Sequence, residues 1–586
     1  IENIKPPVRL SFSPYFSTSI NHYDHADPKT KTTISGGMDV KYGINQAFTL
    51  DMTLIPDFGQ VQSDNQVLNL SPFEVKFNEN RSFFTEGTEL FGKGNLFYSR
   101  RIGARPINFR NPYSNTGSNE KVIENPVETK LINAFKISGR TSSGLGMGFF
   151  NAITRPEYAI IQDTLTKFTR KEETSPLTNY NIMVFDQTLK NKSSISLINT
   201  NVLRSGSTYD ANVTAGLWDF YDKKTIWNFG GKVSVSQLMG EERSNGYLHS
   251  LYFGKVGGNF NFNFSQDIAD KKYNSNDLGY FTNNNFLDHS LWVGYKWLKP
   301  KSWYNSLYYN FNTGYSMRFA PRDYQNFWLN TNLNGTFKNL NYFGIAFNLN
   351  PEENDFYEAR MNGKVFKRPG SFAPGLWYGT NSAKKLFIYT ELFWRFTPKY
   401  KGDAYDATFQ ITYRVNKKFS VSLSTYSEVR NRNLGFAGIL NDVNGNDSAV
   451  IIGSRRIRSV DNVLNLKYNF NNKMGITLRA RHYWSKVKHQ QFFDLQDDGY
   501  VKASNANINP DIEVNFFNID MVYTWQFAQG SFINIVWKNS IQAFDDKIDN
   551  NYMKNLGNTL GSAQNNNLSL RVIYFLDYLK LKRHRS

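Results

Sequence analysis

Apolar residues at every second position recur in short runs along all 586 residues, and this alternation limits what the chain can become. From Lys385 to Thr397 one face reads Leu386, Ile388, Leu392, Trp394 and Phe396, and the other carries Lys385, Glu391 and Arg395. Successive side chains of a β-strand point to opposite faces, so this is a strand with one apolar and one wet side. Phe409, Ile411, Tyr413 and Val415 alternate with Gln410, Thr412 and Arg414, and Leu464, Leu466, Tyr468 and Phe470 do the same before a turn. Beyond that turn Met474, Ile476 and Leu478 oppose Arg479 and Arg481. A one-residue slip would turn those arginines to lipid at about 2–4 kcal/mol each at mid-membrane. Many such strands, joined alternately by tight turns and long loops, describe an all-β, large antiparallel transmembrane β-barrel.

Composition agrees. The mean hydropathy is negative, and no run of about 18 apolar residues exists, which excludes helical membrane spans. A barrel needs none, because only alternate residues meet lipid. Aromatic residues make up 16% of the chain, and Tyr and Trp favour membrane interfaces. The expected location is the cell outer membrane, with its lipid and lipopolysaccharide as partners. Cysteine is absent, which removes disulfides and thiolate chemistry. The formal charge of +18 raises nucleic acid as a partner. The basic residues are spread through strands and turns instead of clustering in a binding motif, so no nucleic-acid partner is expected.

Tight turns fall near Asn45-Gln46, Ser142-Ser143, Asn191-Lys192, Asp222-Lys223, Gly257-Gly258, Pro300-Lys301, Lys338-Asn339, Ala383-Lys384, Asn416-Lys417, Asn471-Asn472 and Gln529-Gly530. With one further strand at each end, from Val8 to Ile20 and from Asn567 to Lys580, they predict about 24 strands within a range of about 22 to 26. Both termini then lie on the tight-turn, periplasmic side. Long polar connections are expected at Asn111 to Pro126, Arg155 to Thr178, Asp267 to Asp288, Glu353 to Lys384, Glu428 to Val460 and Lys486 to Asp511. Residues 1–586 read as one barrel domain. The opening Ile1-Glu2-Asn3-Ile4-Lys5-Pro6-Pro7 has no signal-peptide pattern, and its proline pair reads as a linker.

From Asp57 to Phe91 the alternation stops, yet Phe73, Phe77, Phe83, Phe84 and Phe91 stand densely among charges. Aromatics at this density need something to pack against. The expectation is an inward-folded plug or constriction, with Glu74, Arg81 and Glu86 pairing with lumen residues and Phe83 and Phe84 packing; a surface cap is the alternative. Within this stretch Asp57-Phe58-Gly59-Gln60-Val61, Asp64, Asn69-Leu70-Ser71, Phe73-Glu74, Asn80-Arg81-Ser82-Phe83-Phe84, Glu86-Gly87 and Leu90-Phe91 resemble the signature of domain of unknown function 5916. The resemblance implies a barrel region that usually follows a module similar to family-nine carbohydrate-binding modules. It adds a glycan connection and no settled activity.

Candidate chemistry is sparse. Arg414, Arg479, Arg481 and Arg571 fall on the lumen register, where they would bias a pore toward anions or neutralise plug carboxylates. His22, Asp24, His25 and Asp27 form a compact cluster on the first loop that suits a divalent metal, with an ordinary polar loop as the bland reading. Asp442, Asn444 and Asn446 give a D-x-N-x-N run reminiscent of calcium loops, without the distal Glu at EF-hand spacing. No cofactor is expected beyond a structural calcium ion there. His249, His289, His482 and His489 lack a Ser or Asp motif context, so no enzyme is expected. The leading reading is a plugged outer-membrane pore for uptake or export, glycan-related through the resemblance, or the membrane anchor of a cell-surface complex with surface or periplasmic protein partners. A soluble all-β glycan-binding protein is the alternative, and a barrel hydrolase stands behind it.

Overall fold

The computed structural model describes residues 8–25, 28–56, 62–441, 447–545 and 549–583. It is a closed antiparallel barrel of 24 strands, running from Arg9–Tyr23 to Gln564–Ile573, each paired with its neighbour along the wall. Closure comes where Tyr15 to Tyr23 pair with Asn565 to Ile573. All eleven turn sites fall between paired strands, from Gly43 and Phe48 at the first to Ala528 and Ser531 at the last. Arg9 lies opposite Gly43, and Ile573 opposite Phe532. Both ends of the described wall are therefore on the tight-turn side.

The wall has an apolar outside. Phe409, Tyr413, Ile535, Leu568 and Leu570 stand exposed on the outward register. Soluble monomers rarely present contiguous apolar patches beyond a few hundred Å², so a continuous outward belt of this kind argues against the soluble reading and marks the lipid-facing band. Inside, glycines receive the rings of neighbouring strands. A Cβ on Gly344 would lie 2.0 Å from the Trp377 ring, one on Gly375 2.1 Å from Phe393, and one on Gly314 2.4 Å from Trp328. Each aromatic occupies the space over a position with no side chain, as in aromatic rescue of strand glycines.

Four expectations are corrected. Glu428 to Val460 and Lys486 to Asp511 are mostly not loops. Phe419–Asn441, Asp447–Asn469 and Met474–Leu495 run for 23, 23 and 22 residues, although about 9–11 suffice to cross a membrane. Their outer halves stand beyond lipid, where neither face needs to be apolar and the alternation is lost. Similarly, Ser371–Gly379 is a wall strand inside the expected Glu353 to Lys384 loop. Finally, the last long strand ends at Ile573 instead of Lys580. Leu576–Asp577 rejoins the first strand, and Tyr578–Arg583 is helical. Pro14 has no N–H to offer at this rung, so the ladder is interrupted there: Tyr574 N donates to Pro14 O, and Phe575 N turns to Ser531 Oγ.

The ring-over-glycine packing is testable. Gly344→Val should destabilise the barrel by about 1–3 kcal/mol through overpacking, lowering the temperature at which the heat-modifiable gel band is lost. Gly216→Val, where an added Cβ meets nothing within 4 Å, should leave it unchanged; equal effects would remove the packing explanation.

Candidate functional site

A barrel of this width leaves an aqueous lumen unless something fills it. Here the filling is the described chain from residue 62 to residue 104. Among its described residues, 62–80 have no regular secondary structure, so their carbonyls and N–H groups need partners from elsewhere. The wall provides them. Ser63 Oγ donates to Asp520 Oδ1 at 2.7 Å, Arg481 Nη1 donates to Gln66 O at 2.8 Å, and Arg479 Nη2 donates to Asn65 Oδ1 at 2.7 Å. Gln542 Nε2 donates to Gln66 Oε1 at 2.9 Å. The segment then passes beneath two inward-folded loops: Arg360 donates to Leu70 O at 2.8 Å, Phe73 packs on Tyr357, and Tyr98 N donates to Leu278 O at 2.7 Å.

At the other wall the contact becomes apolar. Phe84, Leu90, Phe91, Leu96 and Ile102 are buried against Phe150, Ile182, Val184, Ile198 and Val213. Met183 and Phe185, on the opposite face of the same strand, are exposed, which places the cluster on the lumen side. Each fully buried side chain of this size contributes about 1.5–3 kcal/mol. Lys136 Nζ donates to Phe83 O at 2.6 Å and to Glu86 O, and Lys232 Nζ donates to Gly94 O at 3.1 Å. Lys93 of the segment meets wall Asp186 at 2.6 Å, which also binds Arg140 at 2.5 Å.

The expected pairing with lumen residues is corrected for Glu74 and Arg81, while Glu86 meets one through its main chain. Glu74 pairs with Arg101 of the same segment at 2.8 Å. Arg81 binds Glu79 at 2.6 Å and donates to Ser99 O and Ile102 O, both at 2.8 Å. Glu86 contributes its main-chain carbonyl to Lys136. Lumen cations thus serve mainly carbonyls, because an irregular backbone leaves carbonyls in excess of side-chain acids.

Glu79 is the residue that sequence reasoning missed. Its carboxylate accepts from Arg81 Nε at 2.8 Å, Ser99 Oγ at 2.6 Å, and the Asn80 and Arg81 main-chain N–H groups. The Arg81 guanidinium also lies 4.2 Å from the Phe84 ring centroid. Asn80-Arg81-Ser82-Phe83-Phe84 is therefore a knot that ties residues 79–84 to 99–102. An acid two positions before a buried arginine was the available signal. Burial pushes the Glu79 carboxyl up, but the hydrogen bonds and charge of Arg81 and the bond from Ser99 outweigh it and hold the group below its usual 4.5.

The four lumen arginines all lie on the inward register. Arg479 and Arg481 hold the segment, and Arg481 also binds Asp461 at 2.8 Å. Arg414 ties a tight turn through Ser382 O and Lys384 O at 2.8 and 2.7 Å. Arg571 covers the Tyr15 ring at 4.0 Å beside the closing seam. On the first loop His22 approaches Asp24 at 3.4 Å and His25 packs on Tyr23, while Asp27 lies outside the described residues. Asp442, Asn444 and Asn446 lie outside them too. Among the described residues no group of three or more His, Asp or Glu is placed to hold a metal ion. His249 and His289 meet Gln266, His482 meets Tyr552 and Asn515, and His489 meets Asp511.

Fold and lumen together define a large closed transmembrane β-barrel with an inward-folded segment. The chain belongs to the family "Domain of unknown function (DUF5916)", whose model matches residues 6–585. No curated protein matches it. Solved structures with similarity include ferric citrate transporter FecA at 8% identity and TM-score 0.33, covering 96% of this chain and 78% of that one. The ferric yersiniabactin uptake receptor FyuA from Yersinia pestis gives 8% and 0.28, covering 96% and 80%. OpdQ of Pseudomonas aeruginosa gives 7% and 0.23, covering 97% and 98%.

The Glu79 knot predicts a pH dependence. Because its folded-state value lies below 4.5, the stability it contributes is complete above that value and is lost as pH falls through the lower, folded one. Hydrogen-exchange protection of residues 81–102 should hold from pH 7 to about 5 and decline below about 4.5. Glu79→Gln should lower that protection at neutral pH by about 1.5–3 kcal/mol and flatten the decline. An unchanged profile in Glu79→Gln would assign the acid sensitivity elsewhere.

Proposed function

We propose that this is an outer-membrane channel closed at rest by its own inward-folded segment, which passes a solute when that segment is displaced. The observation that carries the reading is the segment's path, from Asp520 and Arg481 on one wall to Phe150 and Ile182 on another. Recesses remain on both sides of it. One of about 210 Å³ near the outer mouth is lined by Arg101, Arg105, Arg204 and Tyr209. Another of about 270 Å³ toward the tight turns is lined by Asp39, Asp51, Lys136 and Arg571.

A sugar-rich solute suits the lumen wall that the segment leaves uncovered. Asn310 donates to Asn332 at 2.9 Å, Asn312 to Asn330 at 3.0 Å and Asn330 to Asn348 at 2.8 Å, with Trp292 Nε1 donating to Asn310 at 3.1 Å. Such an amide ladder offers paired donors and acceptors to hydroxyl groups, and the inward Trp328 ring offers a stacking face. A second reading, the membrane anchor of a surface complex, is supported by the strands of 22 and 23 residues that stand above the membrane.

Planar-bilayer conductance tests the first reading. The intact chain should show little current, and replacement of residues 63–103 by a short Gly/Ser linker should give large, stable openings that a neutral oligosaccharide partly blocks. Equal conductance with and without the segment would reject self-closure and leave the anchor. Open channels indifferent to oligosaccharide would reject the sugar assignment alone.

A further inference from the structure

Above the apolar belt, one outward patch of the wall changes character. Arg456 stands directly opposite Lys488, and Arg458 directly opposite Lys486. At the intervening rungs Ser459 Oγ meets Ser485 Oγ at 2.8 Å, and Ile457 and Val487 are buried. These face the lumen side, so the four cations face outward. Like charges directly opposite one another destabilise a strand pair unless an anion lies between them.

The acids nearby are committed elsewhere. Glu513, opposite Lys486, accepts from Trp484 Nε1 at 2.9 Å and Asp549 N at 2.7 Å. Asp511 accepts from His489 N and pairs with its Nδ1. Lys486 Nζ donates to Asp549 O and Asn550 Oδ1, both at 2.8 Å. Arg456 and Lys488 are exposed. Arg458 is half-buried, and its Nε is buried without a hydrogen-bond partner. Among the described residues, no carboxylate lies within salt-bridge distance of Arg456, Arg458 or Lys488.

Position identifies the anion. Arg458 lies about 28 Å above the tight-turn end, at about 3.3 Å per residue and a tilt of about 40°. That is just past an apolar band of about 25 Å. Directly below on the same outward register are Leu464, Leu466 and Leu478. Between the two zones, His482 Nδ1 and Asn462 Nδ2 both meet Tyr552 Oη, at 2.9 and 2.8 Å. Tyr552 opens the helix Tyr552–Leu560 and meets the wall on this outward register. A ligand that fits both zones carries phosphate at the level of Arg456 and Lys488 and acyl chains on the leucines. Arginine forks match phosphate oxygens in bidentate geometry.

We infer that Arg456, Arg458 and Lys488 form a binding site on the outer wall for the phosphate groups of a glycolipid in the outer leaflet. This rests on the membrane reading above. Native mass spectrometry of the purified chain in detergent tests it, with bisphosphorylated lipid A, dephosphorylated lipid A and inorganic phosphate as probes. The bisphosphorylated lipid should be retained one per chain. The double variant Arg456→Gln, Lys488→Gln should reduce retention at least about tenfold while keeping a heat-modifiable band, and Lys192→Gln at a tight turn should not. Equal retention of dephosphorylated lipid, or undiminished retention by the double variant, would overturn the site. Displacement by millimolar phosphate alone would reassign it to the free ion. Solubility without detergent would instead defeat the membrane reading itself, a separate readout.

Discussion

A lipid-facing backbone has no water to bond to, and every strand of this wall meets that constraint through its two neighbours. Twenty-four strands satisfy it only because the first and last pair with each other. The pairing is imperfect where Pro14 cannot donate, and the chain repairs it locally with Ser531 and the short return of Leu576–Asp577. Closure at this strand number then creates the next problem, a lumen too wide for wall side chains to fill.

The inward-folded segment solves that problem in two ways. Against the wall containing Phe150 and Ile182 it behaves as a small hydrophobic core, with Phe91 and Ile102 fully buried. Against the wall containing Arg479, Arg481 and Asp520 it is held by polar contacts to an irregular backbone and by Leu68 packed on Tyr483, Val514 and Phe516. Apolar burial is non-directional, whereas the buried Arg481 and Asp520 hold the segment through directional hydrogen bonds. The Glu79–Arg81 knot sits beside the apolar cluster, where it joins the two passes of the segment.

Legibility followed the environment of each residue. Lipid contact imposes period two on the outward face, so strand faces, tight turns and strand number were readable from residues such as Leu464, Leu466 and Tyr468. Where lipid ends, the pattern ends, and the outer halves of Phe419–Asn441 and Met474–Leu495 read as loops although the ladder continues through them. In the lumen, dense aromatics such as Phe83, Phe84 and Phe91 signalled inward packing but not its partners. Glu79 stands two positions from Arg81 and was within reach of a local reading, but Ser99 and Ile102 could not be read because they meet Arg81 only once the segment has folded back on itself. Lys136 and Lys232 gave no signal at all, since a lone lysine on a wet register looks the same whether it meets water or a carbonyl.

The sequence by itself determined the wall. An alternation enforced by lipid on one side and polar surroundings on the other is a local property, and about 24 strands with a shared tight-turn side follow from counting. The tertiary structure alone decided how the lumen is closed and where the four outward cations converge. Both depend on contacts between residues tens to hundreds of positions apart, such as Gln66 with Arg481, or on register across strands, such as Arg456 with Lys488. No local pattern encodes those distances; they are fixed only when the barrel closes.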